Sequence, residues 1–591
     1  MAYVRQEDLP RSRTRPDGAD TRVSQAAASH RLAGGRGRAR PRGSTCPLSQ
    51  SRPHQRARDA TVPQQHEVAQ LPVRIAGARP ASGSTRGGYV ALTGYARNFR
   101  PLQILAEEQL EEIHRSTLRV LWTTGARIEH RGALEILERA GCKVDYDDWR
   151  VRYPPGLVED ALRKCPSTFH VKTRDPRRSL MIGGNHLYML PFPGHHTIDL
   201  DTWEPRQPTR KEFYDGVKVL DALDSVHGLW SYTPYFAFKD VPPSMALLES
   251  MAGKIRNSGK FLTEGYSKGS EEYCIRMAQA VDAELCVPCL LSPPLTYYSD
   301  AIGAALHGAD AGFPVRISEG AVYGGTAPAT IAGALVSACA NLIAPIVLLQ
   351  VYRPGTRIFL NDFTFPQNMA TGAPDFGNIA IALHAAAFNQ IWRRYGVPVC
   401  NGAAVPASKR IDFQSGYERA ISTTIFALSG ANFILLHGGV AAELTHHPVQ
   451  AVLDDDICGM VGRFLQGIDV TSETLATDLI EQVGPIPGHF LNRKHTREWW
   501  RHEQFVPASA DKLTYPEWVQ RGRKSCIELA RERVEDILAS HSPPPLTDSQ
   551  EEEIERILEE ARERYRKEGL ISSNEMAVYR DSMKSSNYPY E

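Results

Sequence analysis

Lysine is absent from the first 142 residues of this 591-residue sequence, and acidic residues are sparse there. Residues 1–100 contain eighteen arginines against six acidic residues, so they carry +12 and the rest of the chain carries −12. No helical or strand periodicity persists in this Pro-, Gly- and Ser-rich stretch, so we expect residues 1–95 to be a disordered basic tail. The missing lysine is also typical of upstream DNA translated from a start codon assigned too early. No aromatic residues are interleaved with the arginines, which argues against a nucleic-acid partner.

Further absences narrow the class of protein. No strand-like run is followed by G-x-G-x-x-G, so the dinucleotide signature of an open doubly wound sheet is missing. No apolar signal sequence precedes the ten scattered cysteines, which favours a reducing cytoplasm. Residues 321–352 carry no charge and exceed the roughly 20 residues of a membrane-spanning helix. Pro328, Asn341 and Pro345 interrupt this run, so we interpret it as containing a buried helix and expect no membrane association.

Short apolar runs alternate with helix-like stretches through the middle of the chain. Eight runs occur, at 187–190, 229–233, 260–265, 289–292, 314–320, 356–362, 398–403 and 432–438. Strands that alternate with helices pair in parallel, and eight units over about 250 residues match a (β/α)8 TIM barrel. We predict an α/β fold with a helical lead-in (96–170), a barrel catalytic domain (171–487), a C-terminal helical extension (488–570) and a tail (571–591).

Barrel enzymes carry their sites at the carboxyl ends of the strands, and the residues that follow the predicted strands here are mostly acidic or aromatic. They include Glu264, Tyr297, Glu319, Tyr323, Asn361, Phe363, Phe365 and His437, which precedes Gly438 and Gly439. An aromatic face attracts a desolvated cation by roughly 0.5–2 kcal/mol, so the set suits a quaternary ammonium ligand. Each aromatic residue taken alone is more typical of a core than of a cation cage.

The stretch YGGTAPATIAGAL (323–335) joins a predicted strand to a predicted helix without a charged residue. A P-loop would require Lys and Ser or Thr after its last glycine, and Gly333 is followed by Ala334 and Leu335, so we expect no phosphate site. Small residues such as Gly324 and Gly325 leave an open floor on which a flat cofactor could lie. Tight packing of the helix explains them equally well.

Cysteine spacing offers one alternative chemistry. Cys286 and Cys289 form a C-x-x-C pair, and Cys400 lies on another predicted strand. Zinc-dependent methyltransferase barrels use cysteine sulfurs as metal ligands, so a zinc- or thiol-type methyltransferase is an alternative function. No second pair has suitable spacing, and we expect no metal.

Several longer motifs, in a fixed order, carry a resemblance to a known family. They are YGGTAPATIAGAL and VLLQVYRPGTRIFLNDF within 323–363, VPASKRIDFQSGYERA (405–420), GANFILLHGG (430–439) and LDDDI (453–457). From Leu105 to Lys567 the sequence resembles the trimethylamine methyltransferase family. The resemblance implies a (β/α)8 barrel that moves a methyl group from a methylated amine to the Co(I) centre of a separate corrinoid protein. Pyrrolysine is absent, so the chain looks like the branch that demethylates quaternary amines such as glycine betaine.

The resemblance also implies roles for particular residues. His437 and Glu264 would be catalytic, and the substrate would contact Tyr297, Glu319, Tyr323, Asn361, Phe363 and Phe365. A substrate carboxylate would bind Arg357, with Arg316 and Lys409 as alternatives. The partner's corrin ring would dock on Gly324, Gly325, Gly438 and Gly439. We expect the corrinoid (cobalamin) to be carried by the partner protein, and the enzyme to be a cytoplasmic homo-oligomer.

The sequence departs from the family pattern at two positions. Family members usually carry an acidic residue near Asn341, and a Gly-Ser-Pro-Glu-like turn where this chain has Gly377 to Ala380, around Asn378. A barrel that binds betaines without catalysis is a further alternative.

Overall fold

The structure is a computed structural model that describes residues 94–584 and residue 588. Residues 1–93, nearly all of the predicted basic tail, lie outside the described residues. The lead-in mixes helices with short strands. Its elements are β1 (Tyr95–Ala96), α1 (Glu107–Thr123), β2 (Ala126–Ile128), α2 (Arg131–Arg139), β3 (Lys143–Asp145), β4 (Arg150–Arg152), α3 (Pro155–Lys164), β5 (Thr168–Val171) and β6 (Leu180–Gly183). Strands β2 and β3 both pair with β4, so the lead-in is helical only in part.

The central region alternates strands and helices. Its elements are β7 (His186–Pro191), β8 (Thr197–Ile198), β9 (Pro205–Arg206), α4 (Arg210–Ala222), β10 (Gly228–Leu229), α5 (Ala246–Asn257), β11 (Phe261–Thr263), α6 (Ser270–Ala280), β12 (Leu285–Leu290), β13 (Thr296–Tyr297), α7 (Ser299–Asp310), β14 (Val315–Glu319), β15 (Val322–Tyr323), α8 (Ile331–Tyr352), β16 (Ile358–Asp362), β17 (Phe365–Pro366), α9 (Ile379–Tyr395), β18 (Val399–Asn401), α10 (Phe413–Ser429), β19 (Phe433–His437), β20 (Gly439–Val440), β21 (Thr445–His446) and α11 (Pro448–Gln466). Within the described residues, one sheet contains a parallel series of strands in the order β7-β19-β18-β16-β14-β12-β11-β10. Each of the eight predicted runs overlaps one of them, and the prediction of an α/β fold is confirmed.

This sheet curls until side chains of distant strands meet on one face, which we call the inner face. The ring centroid of Phe433 on β19 lies 5.8 Å from that of Phe261 on β11 and 4.9 Å from that of Phe359 on β16. His227, just before β10, donates its backbone N–H to Met189 O of β7 over 2.9 Å. No ladder of paired residues joins β10 to β7 in the described part of the chain. Closure of the sheet into a complete barrel stays a prediction.

Capping residues set where helices begin and end around this sheet. Thr209 and Glu212 form a reciprocal capping box at the start of α4. Gly396 and Gly430 end α9 and α10 with φ of 71° and 108°, a left-handed conformation that glycine adopts without strain. Because each glycine stops its helix, the chain enters β18 and β19 within three residues.

Helix α8 is long and apolar enough, by length and composition, to cross a membrane. In the structure, 72% of its most apolar window is buried inside the protein. Its buried polar side chains have partners, since Asn341 Oδ1 accepts the Leu295 N–H at 3.0 Å and Gln350 Nε2 donates to Thr356 O at 2.9 Å. The interpretation of this stretch as a buried helix agrees with the structure.

The C-terminal region is helical and packs partly on the central region. Its elements are α12 (Ser472–Leu475), α13 (Thr477–Val483), α14 (Lys494–Glu503), α15 (Tyr515–Gln520), α16 (Cys526–Ser540), α17 (Asp548–Lys567) and α18 (Ser573–Ser582). The buried Glu249 of α5 pairs with Arg210 at 2.7 Å and Arg562 at 3.2 Å, and it also accepts the Tyr579 hydroxyl. The predicted tail therefore contains a helix, because the side chain of Tyr579 anchors α18 in the core.

Candidate active site

Arg316 of β14 lies on the inner face, where three parts of the sheet surround it. Its guanidinium carbon lies 3.9 Å from the ring centroid of Trp230, which follows β10. Its terminal nitrogens donate to Thr263 Oγ1 at 3.3 Å and to Ser231 Oγ at 3.2 Å. Only 2% of the residue is exposed. The curve of the sheet thus encloses the Arg316 guanidinium.

This cation has no ion-pair partner in the described part of the chain, although the charge of Glu264 acts on it from a greater distance. Among the described residues, no Asp or Glu forms an ion pair with Arg316, and its Nε has no hydrogen-bond partner. Burial lowers the pKa of Arg316, yet a guanidinium stays protonated at neutral pH. On the same face, Ser318 Oγ and its neighbour across the ladder, Asn361 Oδ1, also lack partners. A buried charge beside unused polar atoms favours an anionic ligand group, because desolvation of the charge is otherwise uncompensated.

Aromatic side chains follow the ends of several strands. The ring centroid of Phe363, after β16, lies 5.9 Å from that of Phe192, after β7, and 5.5 Å from that of Phe365. Gly402, after β18, fits closely here, since a β-carbon on it would lie 3.0 Å from the Phe363 ring and 3.1 Å from Asn361 Oδ1. The sequence-predicted residues Asn361, Phe363 and Phe365 therefore lie near one another at the carboxyl edge of the sheet.

Glu319 faces the opposite side of the sheet. Side chains alternate along a strand, so Glu319 points away from the face that Arg316 occupies. Its carboxylate accepts the Thr364 hydroxyl, and Asn341 Nδ2 of α8 lies 3.4 Å from its Oε2. Asp362 of β16 and His384 of α9 complete a buried group in which His384 Nε2 lies 3.5 Å from Asp362 Oδ1. We call Glu319, Asp362 and His384 the acid–histidine cluster.

The charges of this cluster are coupled. Burial first, and then the charge of Asp362, raise the pKa of Glu319 to about 7. Burial acts to lower the pKa of His384, but Asp362 and Glu319 outweigh it, and the pKa of His384 is raised. Near neutral pH the Glu319 carboxyl group is therefore partly protonated, beside a histidine whose pKa is raised by the same cluster.

Within the part of the chain that the structure describes, two groups of residues have the composition of a metal site. The ligand atoms of the acid–histidine cluster lie within 4.8 Å of one another, as do those of Glu271, Glu272 and His307. Carboxylate and imidazole ligands accept several divalent cations. The raised pKa of Glu319 provides a proton that can neutralise the first group instead, and the expectation of no metal stays a prediction.

Gly324 and Gly325 lie in an exposed turn. Strands β15 and β17 pair in parallel beyond the ends of β14 and β16, and the loops after them, 324–330 and 367–374, contain no charged residue. Met369 at the tip of the second loop is 83% exposed. We call the two loops the uncharged rim.

Comparison with known proteins identifies the family. Residues 76–565 match the family described as trimethylamine methyltransferase (MTTB). The chain belongs to this family. It is 30% identical over 456 residues to the glycine betaine methyltransferase of Desulfitobacterium hafniense (strain Y51), covering 75% of this chain and 94% of that one. It is 27% identical over 475 residues to the trimethylamine methyltransferase MttB of Methanosarcina thermophila, covering 77% and 97%.

These relatives are named methyltransferases, and the prediction of a methyltransferase is confirmed. Among solved structures, the monomethylamine methyltransferase MtmB of Methanosarcina barkeri gives a TM-score of 0.39 at 14% identity, covering 80% of this chain and 90% of that one.

In this member of the trimethylamine methyltransferase family, the C-x-x-C pair does not form a joint site. Cys286 and Cys289 are three residues apart in β12 and belong to different core clusters, with Cys286 beside Phe359 on the inner face and Cys289 in the cluster that contains α8 residues. Burial raises the pKa of each thiol to about 12. Both therefore stay protonated, and nothing in their placement supports the zinc- or thiol-type alternative.

The two residues predicted to be catalytic have different surroundings. Glu264 follows β11, but its carboxylate binds Lys254 at 2.7 Å and also accepts hydrogen bonds from Ser250 Oγ and the Tyr232 N–H. The ring of His437 lies 3.6 Å from Asp455 of α11. The charge of Glu264 acts on Arg316, and both ring nitrogens of His437 are buried without a hydrogen-bond partner. The catalytic role of the two residues stays a prediction.

Several other predicted site residues lie elsewhere. Tyr297 is buried in β13, pairs with the lead-in strand β2, and donates its hydroxyl to Asn341 O. Arg357 precedes β16, at the amino end of the sheet, and pairs with Glu284 at 2.5 Å. Gly438 and Gly439 are buried, and a β-carbon on Gly438 would meet the His446 ring, so no flat ring can rest on them. Tyr323 packs against His384, with ring centroids 5.8 Å apart, beside the acid–histidine cluster.

The site residues predicted from the sequence do not include Trp230, Ser231, Thr263 and His384. In the strand VRISEG (315–320), successive side chains point to opposite faces of the sheet. This alternation predicts that Arg316 and Ser318 share one face and that Glu319 points to the other. No local signal marks His384, which reaches Asp362 only through the packing of α9.

Proposed function

We propose that the protein moves a methyl group from a carboxylate-bearing quaternary amine, a betaine, to the Co(I) of a separate corrinoid protein. One observation carries the choice of substrate: Arg316 is a buried guanidinium that forms no ion pair among the described residues and is stacked on Trp230 within the curve of the sheet. The relative named glycine betaine methyltransferase supports the same class of substrate.

Arg316 binds the substrate carboxylate in this proposal. Its unused Nε can donate without breaking the bonds to Thr263 and Ser231, and the carboxylate supplies the missing negative charge. A charge-assisted hydrogen bond of this kind fixes orientation as well as position. Ser318 and Asn361, which also have unused polar atoms, complete the contacts around the carboxylate.

Aromatic rings hold the ammonium group. Trp230, Phe192 and Phe363 follow three different strands, and the face of an aromatic ring attracts a desolvated quaternary cation. A quaternary amine leaves as a neutral amine, so no general acid is required; the residues contribute positioning and exclusion of water. Glu264 and His437 have no proton-transfer role in this mechanism.

The uncharged rim is the docking surface for the corrinoid partner. Gly324, Gly325 and Met369 are exposed, and loops 324–330 and 367–374 present small or apolar side chains to which a flat, largely apolar macrocycle is complementary. The corrinoid, when its carrier docks, supplies the Co(I) nucleophile that accepts the methyl group. Gly438 and Gly439 are not part of this surface because they are buried.

We also propose that residues 171–487 form a closed (β/α)8 barrel. Support comes from the hydrogen bond between His227 and Met189 across the gap in the ladder, and from the rings of Phe261 and Phe433, which meet across the curve. A closed barrel places Arg316 in its interior, so a substrate enters from the carboxyl ends of the strands. In keeping with its cysteine content, the enzyme is proposed to be cytoplasmic.

Calorimetric titration of the full chain tests the substrate. Glycine betaine and choline share a trimethylammonium group, but only glycine betaine has a carboxylate. We expect choline to bind roughly 10- to 150-fold more weakly, since a hydrogen bond to a charged group contributes ~1.5–3 kcal/mol. Arg316→Gln should bring glycine betaine to the affinity of choline.

Arg357→Gln is the matched control, because it removes an arginine from the amino end of the same sheet. It should leave the affinity for glycine betaine unchanged. Methyl transfer is then followed as consumption of cob(I)alamin, alone and with a corrinoid carrier protein. Equal affinities for choline and glycine betaine would disprove the role of Arg316. Tight binding without transfer to either acceptor would favour the non-catalytic alternative.

A further inference from the structure

A long segment of the chain begins at the end of α11 and ends beside that same helix. Residues 467–502, which we call the arm, follow α11 and end beside it, where Arg463 Nη2 lies 2.7 Å from Glu503 Oε2. Asn98, Gly467 and His502 line one small cavity of about 120 Å³ at this base. The arm contains α12, α13 and most of α14.

The arm is poorly anchored to the rest of the protein. Among the described residues, the hydrogen bonds and ion pairs of residues 468–501 either stay within that segment or join it to the end of α14 and the residue after it, where Gln504 N donates to Trp500 O. Val483 is its one buried side chain. Its helices have 4, 7 and 10 residues, and isolated helices shorter than about 12–15 residues are marginal in water. Another surface is needed to keep them folded.

The arm also exposes apolar side chains at an unusual density. Eight large ones are exposed: Ile468, Val470, Leu475, Ile480, Ile486, Phe490, Leu491 and Trp500. Ile486 and Leu491 are 94% and 82% exposed. Met460 and Phe464 of α11 continue this surface at the base of the arm. Apolar patches of this size mark sites of protein–protein contact.

Charge along the arm is divided into two halves. Residues 467–488 contain four acidic residues and no basic one: Asp469, Glu473, Asp478 and Glu481. Residues 489–502 contain Arg493, Lys494, Arg497 and Arg501 against one Glu498. Within the described chain, none of those four acids pairs with one of those four basic residues, since the recorded ion pair of this segment joins Lys494 to Glu498. The acidic half of one arm can therefore pair with the basic half of a second arm, and its basic half with the acidic half of that arm.

The position of the arm argues against the corrinoid carrier as its partner. The last turn of α11 lies beside β1, since Asn98, two residues after β1, donates its backbone N–H to Leu465 O at 2.9 Å. Strand β1 in turn pairs with His186 and Leu187 at the amino end of β7. The arm thus starts at the amino ends of the strands. The carrier must reach the carboxyl ends, where the uncharged rim lies.

We propose that the arm docks on a second copy of this chain, with the acidic half of each arm against the basic half of the other. Such a contact is self-complementary and closes around a two-fold axis. The exposed apolar side chains fill its centre, and the charges set its register. This inference does not depend on the proposed substrate.

Sedimentation of the full chain at micromolar concentration tests the proposal. The monomer has a mass of 65.6 kDa, and we expect wild type to sediment at twice this mass or a higher even multiple. Replacement of residues 468–501 by a short Gly-Ser linker should halve the mass. A wild-type monomer would overturn the proposal, as would an arm-less variant that keeps the wild-type mass.

Charge reversal tests the pairing itself and avoids the question of whether a deletion folds. One variant changes Asp469, Glu473, Asp478 and Glu481 to Lys, and the other changes Arg493, Lys494, Arg497 and Arg501 to Glu. Each alone should lose association, and an equimolar mixture should regain it. Glu107, Glu108, Glu112 and Asp148, four exposed acids on the lead-in, changed to Lys serve as the matched control and should leave the mass unchanged.

Failure of the mixture to associate would contradict the acid-to-base pairing. Unchanged mass with loss of methyl transfer to the carrier protein would assign the arm to that carrier and overturn the proposal. Far-UV circular dichroism confirms that each variant is folded.

Discussion

Lys254 and Arg316 are both buried cations near the carboxyl ends of the sheet, yet their surroundings differ. Lys254 lies 2.7 Å from the Glu264 carboxylate and donates to two backbone oxygens, so its charge is neutralised within the protein. Arg316 has hydroxyl groups and an aromatic ring, but no carboxylate. The difference separates a structural charge from one that is free to bind a ligand. The sequence predicts Glu264 to be catalytic, because no local pattern reveals that Lys254 of α5 forms an ion pair with its carboxylate.

The largest expected effect follows from breaking the neutralised pair. Lys254→Met leaves the Glu264 carboxylate buried and unpaired, which should reduce the free energy of unfolding by about 3–5 kcal/mol. The double variant Lys254→Met/Glu264→Gln removes both charges and should recover much of the loss. Urea denaturation measures both. A small loss in the single variant would mean that the pair is not structurally important.

Removal of Arg316 should affect the binding of glycine betaine rather than the stability of the ligand-free protein. Arg316→Gln removes a buried charge without a partner, so we expect the free energy of unfolding of the ligand-free protein to change by no more than about 1 kcal/mol. Glycine betaine at 100 times its wild-type dissociation constant should stabilise wild type by about 2.7 kcal/mol, but the variant, which binds it roughly 10- to 150-fold more weakly, by only about 0.3–1.4 kcal/mol. Thermal unfolding with and without glycine betaine measures this. Equal stabilisation of both proteins would contradict the role of Arg316.

The last expected effect depends on pH and concerns the acid–histidine cluster. The pKa of Glu319 is about 7 in the folded protein and about 4.3 in an unfolded chain. The unfolded state therefore loses its proton first, and the free energy of unfolding should fall as pH rises from about 4.3 to above 7. Glu319→Gln should flatten this fall, with the greatest gain at pH 8. Glu212→Gln is the control, because the pKa of Glu212 is lowered to about 2 and does not titrate in this window. Parallel curves for Glu319→Gln and wild type would disprove the shift.

Much of the fold could be predicted from the sequence, because apolar runs and helical periodicity are local. The predicted run at 289–292 was late, since β12 already starts at Leu285 and passes through Pro288. The site was less predictable. Arg357 stands before its strand rather than after it, which already places it at the wrong edge of a parallel sheet. Lys254 and His384 act through helix packing, for which no motif exists.

Glu249 has a consequence for synthesis of the protein on the ribosome. Two of its partners, Arg562 and Tyr579, lie 313 and 330 positions later in the chain. Until Arg562 and Tyr579 are translated and released from the exit tunnel, the ion-pair partner of Glu249 is Arg210. The region of the protein around α5 can therefore mature only after α17 and α18 have been synthesised, and a product truncated before these helices would display an incomplete ionic centre to cellular proteases.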